Sequence, residues 1–192
     1  MNKKKLLLHC CCAPCATSVI ERLLNEDEFD ITLYFANSNI LPQSEYTKRL
    51  EELKKLAKIH NLPLVEDCYN PQEFFDSIKG LESLGEGSKR CDNCIYFRLE
   101  KTAKFAKTNG YDCFCTTLTV SPHKNAEHIN NSGKELSNIL NIEFLERDFK
   151  KRDGFKRSIE LCKIYNIYRQ TYCGCGLVWK RSFMQNGARF MW

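Results

Sequence analysis

The sequence predicts an α/β fold, a three-layer domain in which helices cover both faces of a parallel sheet, ending in a basic, helical C-terminal segment. Three observations predict it. Apolar runs of strand length alternate with amphipathic runs of helix length in the order β-α-β-α-β-α-α-β-α-β-α, the pattern of parallel strands joined by crossover helices. The first run, Lys4 to Cys11, is nearly continuous in apolar residues, as a strand covered on both faces is. The chain has 192 residues, 43% of them hydrophobic, enough to bury one core.

Taken in order, Lys4 to Cys11 is the first strand, and Ala13-Pro14 breaks it. Ala16 to Leu24 is a helix, and Phe29 to Ala36 alternates as a second strand. Ser44 to His60 is helical, because Tyr46, Leu50, Leu53 and Ala57 recur at steps of three and four with Glu and Lys opposite. Asn61-Leu62-Pro63 ends it, and Pro63 to Glu66 is a third strand. Asn70-Pro71 opens a short helix to Ile78, since proline suits a first turn. Gly80, Gly85 and Gly87 make residues 80–89 a loop. Cys94 to Thr108 is a helix stopped by Asn109-Gly110. Asp112 to Val120, rich in β-branched and aromatic residues, is a strand. Asn125 to Leu140 is helical, Glu143 to Glu146 is a last strand and Ser158 to Tyr168 a last helix. In such sheets, sites form at the carboxyl ends of strands. That rule gathers Cys10 to Cys15, Asn37 to Asn39 and Ser121 to Lys124 on one rim. Residues 1–146 form the α/β domain, and 147–192 a mostly helical segment packed on it.

Charge is unevenly divided. The net +5 hides a net +8 over residues 147–192 and −3 over the rest. Arg147 to Arg157 alone holds six basic side chains, and Phe149, Phe155, Tyr165, Tyr168, Tyr172, Trp179, Phe183, Phe190 and Trp192 are interleaved with the basic residues. Cations beside aromatic platforms suit looped or single-stranded RNA; a solvated helix face over core aromatics is the plainer reading. No apolar stretch reaches the roughly 18 residues of a membrane helix, and Leu6-Leu7-Leu8 is too short for a signal peptide. The expectation is a cytoplasmic chain with reduced thiols.

Against that expectation, twelve cysteines point to metal or redox chemistry rather than a disulfide scaffold. Cys10-Cys11-Cys12 with Cys15, and Cys91 with Cys94, have spacings that hold two thiolates on one turn, as iron–sulfur ligands are held. Lys89, Arg90 and a helix N-terminus beside Cys91 would lower thiol pKa values. Four thiolates also make a structural zinc site; zinc pairs usually sit on small hairpin knuckles, so the sheet rim favours iron–sulfur. Cys173-Gly174-Cys175 suits a small-ring, easily reduced disulfide, with two further metal ligands or two free thiols as alternatives. Cys68, Cys113, Cys115 and Cys162 read as small core residues. His9 reads as a core histidine, and Glu45, Arg49, Glu82 and Lys124, near the rim or in the loop before Cys91, read by themselves as surface residues.

Four motifs then stand in order. Leu8-His9-Cys10-Cys11-Cys12-Ala13-Pro14-Cys15 resembles L-H-x-C-C-A-P-C. Arg90-Cys91-Asp92-Asn93-Cys94 with Arg98-Leu99 resembles R-C-x-x-C…R-L. Ser121-Pro122-His123-Lys124-Asn125 resembles S-P-x-K-[ND], and Tyr168 to Cys175 resembles Y-x-Q-x-Y-C-G-C. From residue 6 to about 181 the chain resembles the cobalamin-independent epoxyqueuosine reductase family, QueH.

The resemblance implies a fold of the HUP type, related to the adenine-nucleotide α-hydrolases, with Cys11 to Cys15 in place of the phosphate loop. It implies reduction of the epoxide of epoxyqueuosine to an alkene at the tRNA wobble position, the last step of queuosine biosynthesis. It implies a [4Fe-4S] cluster on Cys11, Cys12, Cys91 and Cys94, a second, mononuclear iron, and a redox disulfide of Cys173 and Cys175. Candidates for the second iron are Cys15, Cys10 (at the motif's variable position) and a carboxylate, Asp92, Asp148 or Glu82. Lys124, Arg169, Tyr172, Lys150, Lys151 and Arg152 are the candidates to meet the tRNA anticodon stem-loop, and the electron donor is not named by any motif. Two rivals remain: a zinc- or cluster-stabilised RNA-binding module, and a cluster-dependent tRNA thiolase. The thiolase would need an S-G-G-x-D-S loop where Cys11 to Cys15 stands.

Overall fold

The computed structural model describes residues 3–177. Trp179, Phe183, Phe190 and Trp192, with the rest of the basic segment from 178 to 192, lie outside the described residues. Five parallel strands stand in the order β3-β2-β1-β4-β5. They are β1 (Lys4–His9), β2 (Phe29–Phe35), β3 (Leu64–Glu66), β4 (Cys113–Thr116) and β5 (Glu143–Phe144). The six α-helices are α1 (Ala13–Glu26), α2 (Gln43–Ile59), α3 (Pro71–Ser77), α4 (Lys89–Thr108), α5 (Ala126–Leu140) and α6 (Gly154–Ile164). The order of elements is the expected one.

The central strand explains the layers. Leu6, Leu7 and Leu8 of β1 are fully buried, and successive side chains leave the sheet on opposite faces. Leu6 and Leu8 join Val19, Ile20 and Leu23 of α1 and Leu50, Leu53 and Leu56 of α2 in one core cluster. Leu7 joins Leu99 and Ala103 of α4 and Ile129 and Leu136 of α5 in the other. Packing on the second face is close enough to require glycine. A Cβ on Gly133 of α5 would meet the Phe144 ring of β5 at 2.5 Å. The chain winds outward from β1 to β3 and then crosses to the other side of β1 for β4. The crevice where ligands bind in doubly wound sheets is therefore at the carboxyl ends of β1 and β4.

Several boundaries differ from expectation, for local reasons. α1 begins at Ala13, not Ala16, because Pro14 sits in its first turn. α4 begins at Lys89, not Cys94, so Cys91 and Cys94 both lie in its first turns. β4 stops at Thr116, where the Thr116 hydroxyl accepts from Leu118 N–H and opens a 3₁₀ turn over Thr117–Val120. α6 runs from Gly154 to Ile164 rather than Ser158 to Tyr168, and Asn166 at φ 51° turns the chain away. Beyond it, residues 165–176 form an irregular strap, so the described part of the C-terminal segment is less helical than expected. Cys113, Cys115 and Cys162 are core residues, but Cys68 is exposed, which corrects its assignment to the core. Among the described residues, no helix is long and apolar enough to cross a membrane.

Candidate metal and redox centre

The turn after β1 delivers three thiols to the crevice. Cys12 caps α1 in an extended conformation, and Cys15 follows on the first turn. The sulfurs of Cys11, Cys12 and Cys15 all lie within 4.8 Å of one another, with Cys11 and Cys12 3.8 Å apart. Cys15 therefore shares a thiol group with Cys11 and Cys12 rather than standing apart from them. The Cys12 thiol, then the Cys15 thiol, hydrogen-bond to Cys11 and hold it well below the usual thiol range, while Cys12 is pushed up to about 12. Cys10 is not in this group. It is fully buried with Leu6 and Leu8 on the α1–α2 face, its thiol donates to the Leu8 carbonyl at 3.4 Å, and burial raises its pKa. The structure thus removes Cys10 from the metal candidates. His9 is a core histidine, with Nδ1 2.9 Å from the Thr116 hydroxyl, and burial takes its pKa down to about 4.

A second wall comes from the start of α4. The Gly87 N–H donates to the Cys91 sulfur at 3.3 Å. Cys94 is buried, and burial raises its pKa, contrary to the lowering expected from its cationic neighbours. The strap supplies the third wall, where Cys175 packs with Phe74, Ile78 and Cys94. Cys91, Cys94, Cys173 and Cys175 line one cavity of about 190 Å³ together with Arg98 and Lys124. The Cys175 thiol hydrogen-bonds to Cys173, and Lys124 and Arg98 lie near; together these overcome burial and lower the Cys173 pKa to about 5.

Arg98 is 5% exposed, and its Nε donates to the Cys94 carbonyl. Neither Arg98 nor Lys124 has a carboxylate partner among the described residues. Burial works against both charges, and the sulfurs offset it: Cys94, Cys11 and Cys173 for Arg98, and Cys11 and Cys173 for Lys124. A buried cation without a partner is costly unless an anion is close. A set of thiolates, or a thiolate-ligated cluster, supplies that anion, so the donor set fits the iron–sulfur group.

The remaining candidates scatter. Asp92 lines the cavity and lies 3.3 Å from His128 Nε2, half in solvent. Asp148 accepts from the Lys150 N–H, and the Glu82 side chain is exposed. Lys150 Nζ donates to the Lys124 carbonyl at 2.7 Å, which ties that turn to the rim. Lys151, Arg152 and Arg169 are exposed. Tyr172 is half-buried: its ring lies 5.2 Å from the Arg49 guanidinium carbon, and burial and the Glu45 carboxylate push its phenol up to about 12. Not all of the basic segment is free for RNA, since Arg147 pairs with Glu26 and Arg157 with Glu21 and Glu160. Sequence reasoning missed Thr117, whose hydroxyl faces Cys11, and read Arg49 and Glu45 as surface residues although both are buried.

Comparison with known proteins identifies the family of this chain. The model of the family described as "Epoxyqueuosine reductase QueH" matches residues 6–180. Curated relatives carrying that same name include one from Streptococcus pyogenes serotype M1, 42% identical over 90% of this chain and 69% of its own length. One from Staphylococcus epidermidis is 44% identical over 91% and 76%, and one from Thermotoga maritima 39% identical over 88% of each chain. Among solved structures, a U34-tRNA thiolase, NcsA from Methanococcus maripaludis, aligns with a TM-score of 0.44 at 10% identity, over 98% of this chain and 75% of that one. The family match spans nearly the whole chain and takes in all four cysteine-bearing or rim motifs, so the chain belongs to the epoxyqueuosine reductase QueH family and is an oxidoreductase.

Proposed function

We propose that this chain reduces the epoxide of epoxyqueuosine, at the wobble position of a tRNA, to the alkene of queuosine. The observation that carries the reading is the cavity lined by Cys91, Cys94, Cys173 and Cys175 together with two cations, Arg98 and Lys124, that have no carboxylate partner among the described residues. Cys11, Cys12, Cys91 and Cys94 are the proposed cluster ligands, and Cys15 and Asp92 the candidates for an additional iron. When bound, the cluster supplies single electrons and an additional iron supplies a Lewis acid for the epoxide oxygen.

The chain's own residues do the rest. Epoxide, two electrons and two protons give alkene and water. The Cys173 thiolate and the Cys175 thiol release two electrons and one proton when their sulfurs join, and Lys124 gives the second proton, so with the epoxide the sum balances disulfide, alkene and water. An external thiol-class reductant then reopens the disulfide. The Lys124 ammonium, on the cavity wall, hydrogen-bonds to the departing oxygen and gives it a proton from Nζ. Arg98 keeps negative charge favourable in the buried site. A cavity of about 190 Å³, room for roughly six waters, takes a small ring and leaves the nucleoside outside. The wobble base must therefore be splayed out to reach it, with Lys151, Arg152 and Arg169 exposed to meet phosphates.

Metal analysis of protein purified without oxygen tests the ligand set. About four iron and about four sulfide per chain are expected, as a [4Fe-4S] cluster requires. Cys11→Ser, Cys12→Ser, Cys91→Ser and Cys94→Ser should each lose most of both, while Cys113→Ala keeps them. Zinc alone would contradict the reading and favour a structural RNA-binding module.

A further inference from the structure

One face of α2 holds the strap along its length. Lys55 Nζ donates to the Asn166 carbonyl at 2.6 Å. The Glu52 carboxylate accepts from the Tyr168 N–H at 3.0 Å, and Lys48 Nζ lies 3.4 Å from the Tyr168 ring centroid. Arg49 reaches the cysteine loop itself. Its Nη1 donates to the Cys173 carbonyl at 3.0 Å and its Nη2 to the Tyr172 carbonyl at 3.3 Å. Its Nε donates to Glu45 at 2.7 Å, and both residues are buried, at 3% and 8% exposure. The next carbonyl, of Gly174, accepts from the Leu41 N–H at 2.7 Å. Gly174 has φ +94°, and a Cβ there would come within 2.8 Å of the guanidinium. Three consecutive carbonyls around the two cysteines are thus fixed, two of them by one side chain.

A buried ion pair is weak evidence for stability, because a packed apolar pair often does as well. A guanidinium fork, however, fixes the positions of two acceptors at once. We propose that Arg49, anchored by Glu45, is the positioning residue of the Cys173–Cys175 pair, holding its loop so that the two sulfurs meet each other beside Cys94. This rests on reading the pair as the redox couple above. In that couple one S–S bond forms from the Cys173 thiolate and the Cys175 thiol, whose S–H bond breaks, with two electrons and one proton passing to the epoxide and the second proton coming from Lys124. An external dithiol reductant reverses the closure. Holding the sulfurs in contact raises the effective concentration of each at the other, so loss of Arg49 disfavours closure.

The test uses the full chain with its cluster and two variants. The E45Q/R49M double variant removes the pair without leaving a buried charge, and R49K keeps the charge pair but loses the fork. The closure equilibrium of Cys173 with Cys175 is read in a glutathione redox buffer by alkylation and mass spectrometry. Turnover is read on an anticodon stem-loop. In the double variant the closure constant should fall about tenfold, about 30 mV toward easier reduction. There kcat falls by a similar factor while KM for the stem-loop does not change, and R49K lies between the double variant and wild type. Wild-type closure and kcat in either folded variant would overturn the role of Arg49. Absence of reversible closure in the wild-type chain would sink the redox reading itself, and the role of Arg49 with it.

Discussion

The Thr117 hydroxyl donates to the Cys11 sulfur at 3.6 Å and accepts from the Cys11 N–H at 3.3 Å. One residue just after β4 thus holds both the backbone and the sulfur of a proposed cluster ligand after β1. Thr117→Val keeps the shape and removes the hydroxyl. It leaves the Cys11 N–H short of its partner, at a cost of about 1–3 kcal/mol, to be read by urea unfolding under anaerobic conditions. Hydrogen bonds to sulfur help set cluster potentials, so the potential should also move to lower values in a spectroelectrochemical titration. An unchanged unfolding midpoint and potential would remove Thr117 from the site.

Cys173→Ser separates electron storage from metal binding. The variant should keep iron, sulfide and visible absorbance at wild-type levels and lose turnover with a thiol reductant. Normal turnover with both a thiol reductant and dithionite would show that the pair is not the redox couple.

The Cys173 pKa, lowered to about 5 by the Cys175 thiol and by Lys124 and Arg98, predicts a pH profile. A lowered pKa keeps the thiolate present above that value and loses it as pH falls through it. Carbamidomethylation of Cys173 by iodoacetamide should hold its rate from about pH 8 to about pH 6 and fall by half near pH 5. Lys124→Gln removes one of the cations, and its midpoint should lie higher. A midpoint in the ordinary thiol range for the wild-type chain would contradict the geometry.

Gly133→Ala tests the packing behind the site. The added methyl would sit 2.5 Å from the Phe144 ring, and overpacking of this kind costs about 1–3 kcal/mol. The expected readout is a lower unfolding midpoint, with the iron content of the folded protein unchanged. A midpoint equal to that of wild type would mean that α5 and β5 part freely.

The element order and the rim were legible because β1 is apolar on both faces and proline, glycine and asparagine mark the breaks. The start of α1 was placed three residues late, at Ala16, because Ala13-Pro14 read as a break, whereas Pro14 sits in the first turn of the helix. Arg49 and Glu45 were illegible for a different reason. They lie on the flank of the apolar face of α2, beside Leu53 and Leu56, and what covers them is a strap more than a hundred residues away. No local pattern reports such a cover. Cys68, between β3 and α3, read as a core residue and is exposed, while the next residue, Tyr69, is the one that packs against the core. The basic segment was legible as charge, but its ion pairs with Glu21 and Glu26 of α1 were not.

The central claim is epoxide reduction, and one assay meets it directly. Anaerobically reconstituted protein is mixed with dithionite and an anticodon stem-loop carrying epoxyqueuosine, and the nucleosides are resolved by mass spectrometry. The account predicts loss of one oxygen atom from the modified base, with formation of queuosine in more than one turnover and none with protein lacking iron. Recovery of intact epoxyqueuosine from iron-loaded, stem-loop-binding protein would contradict it.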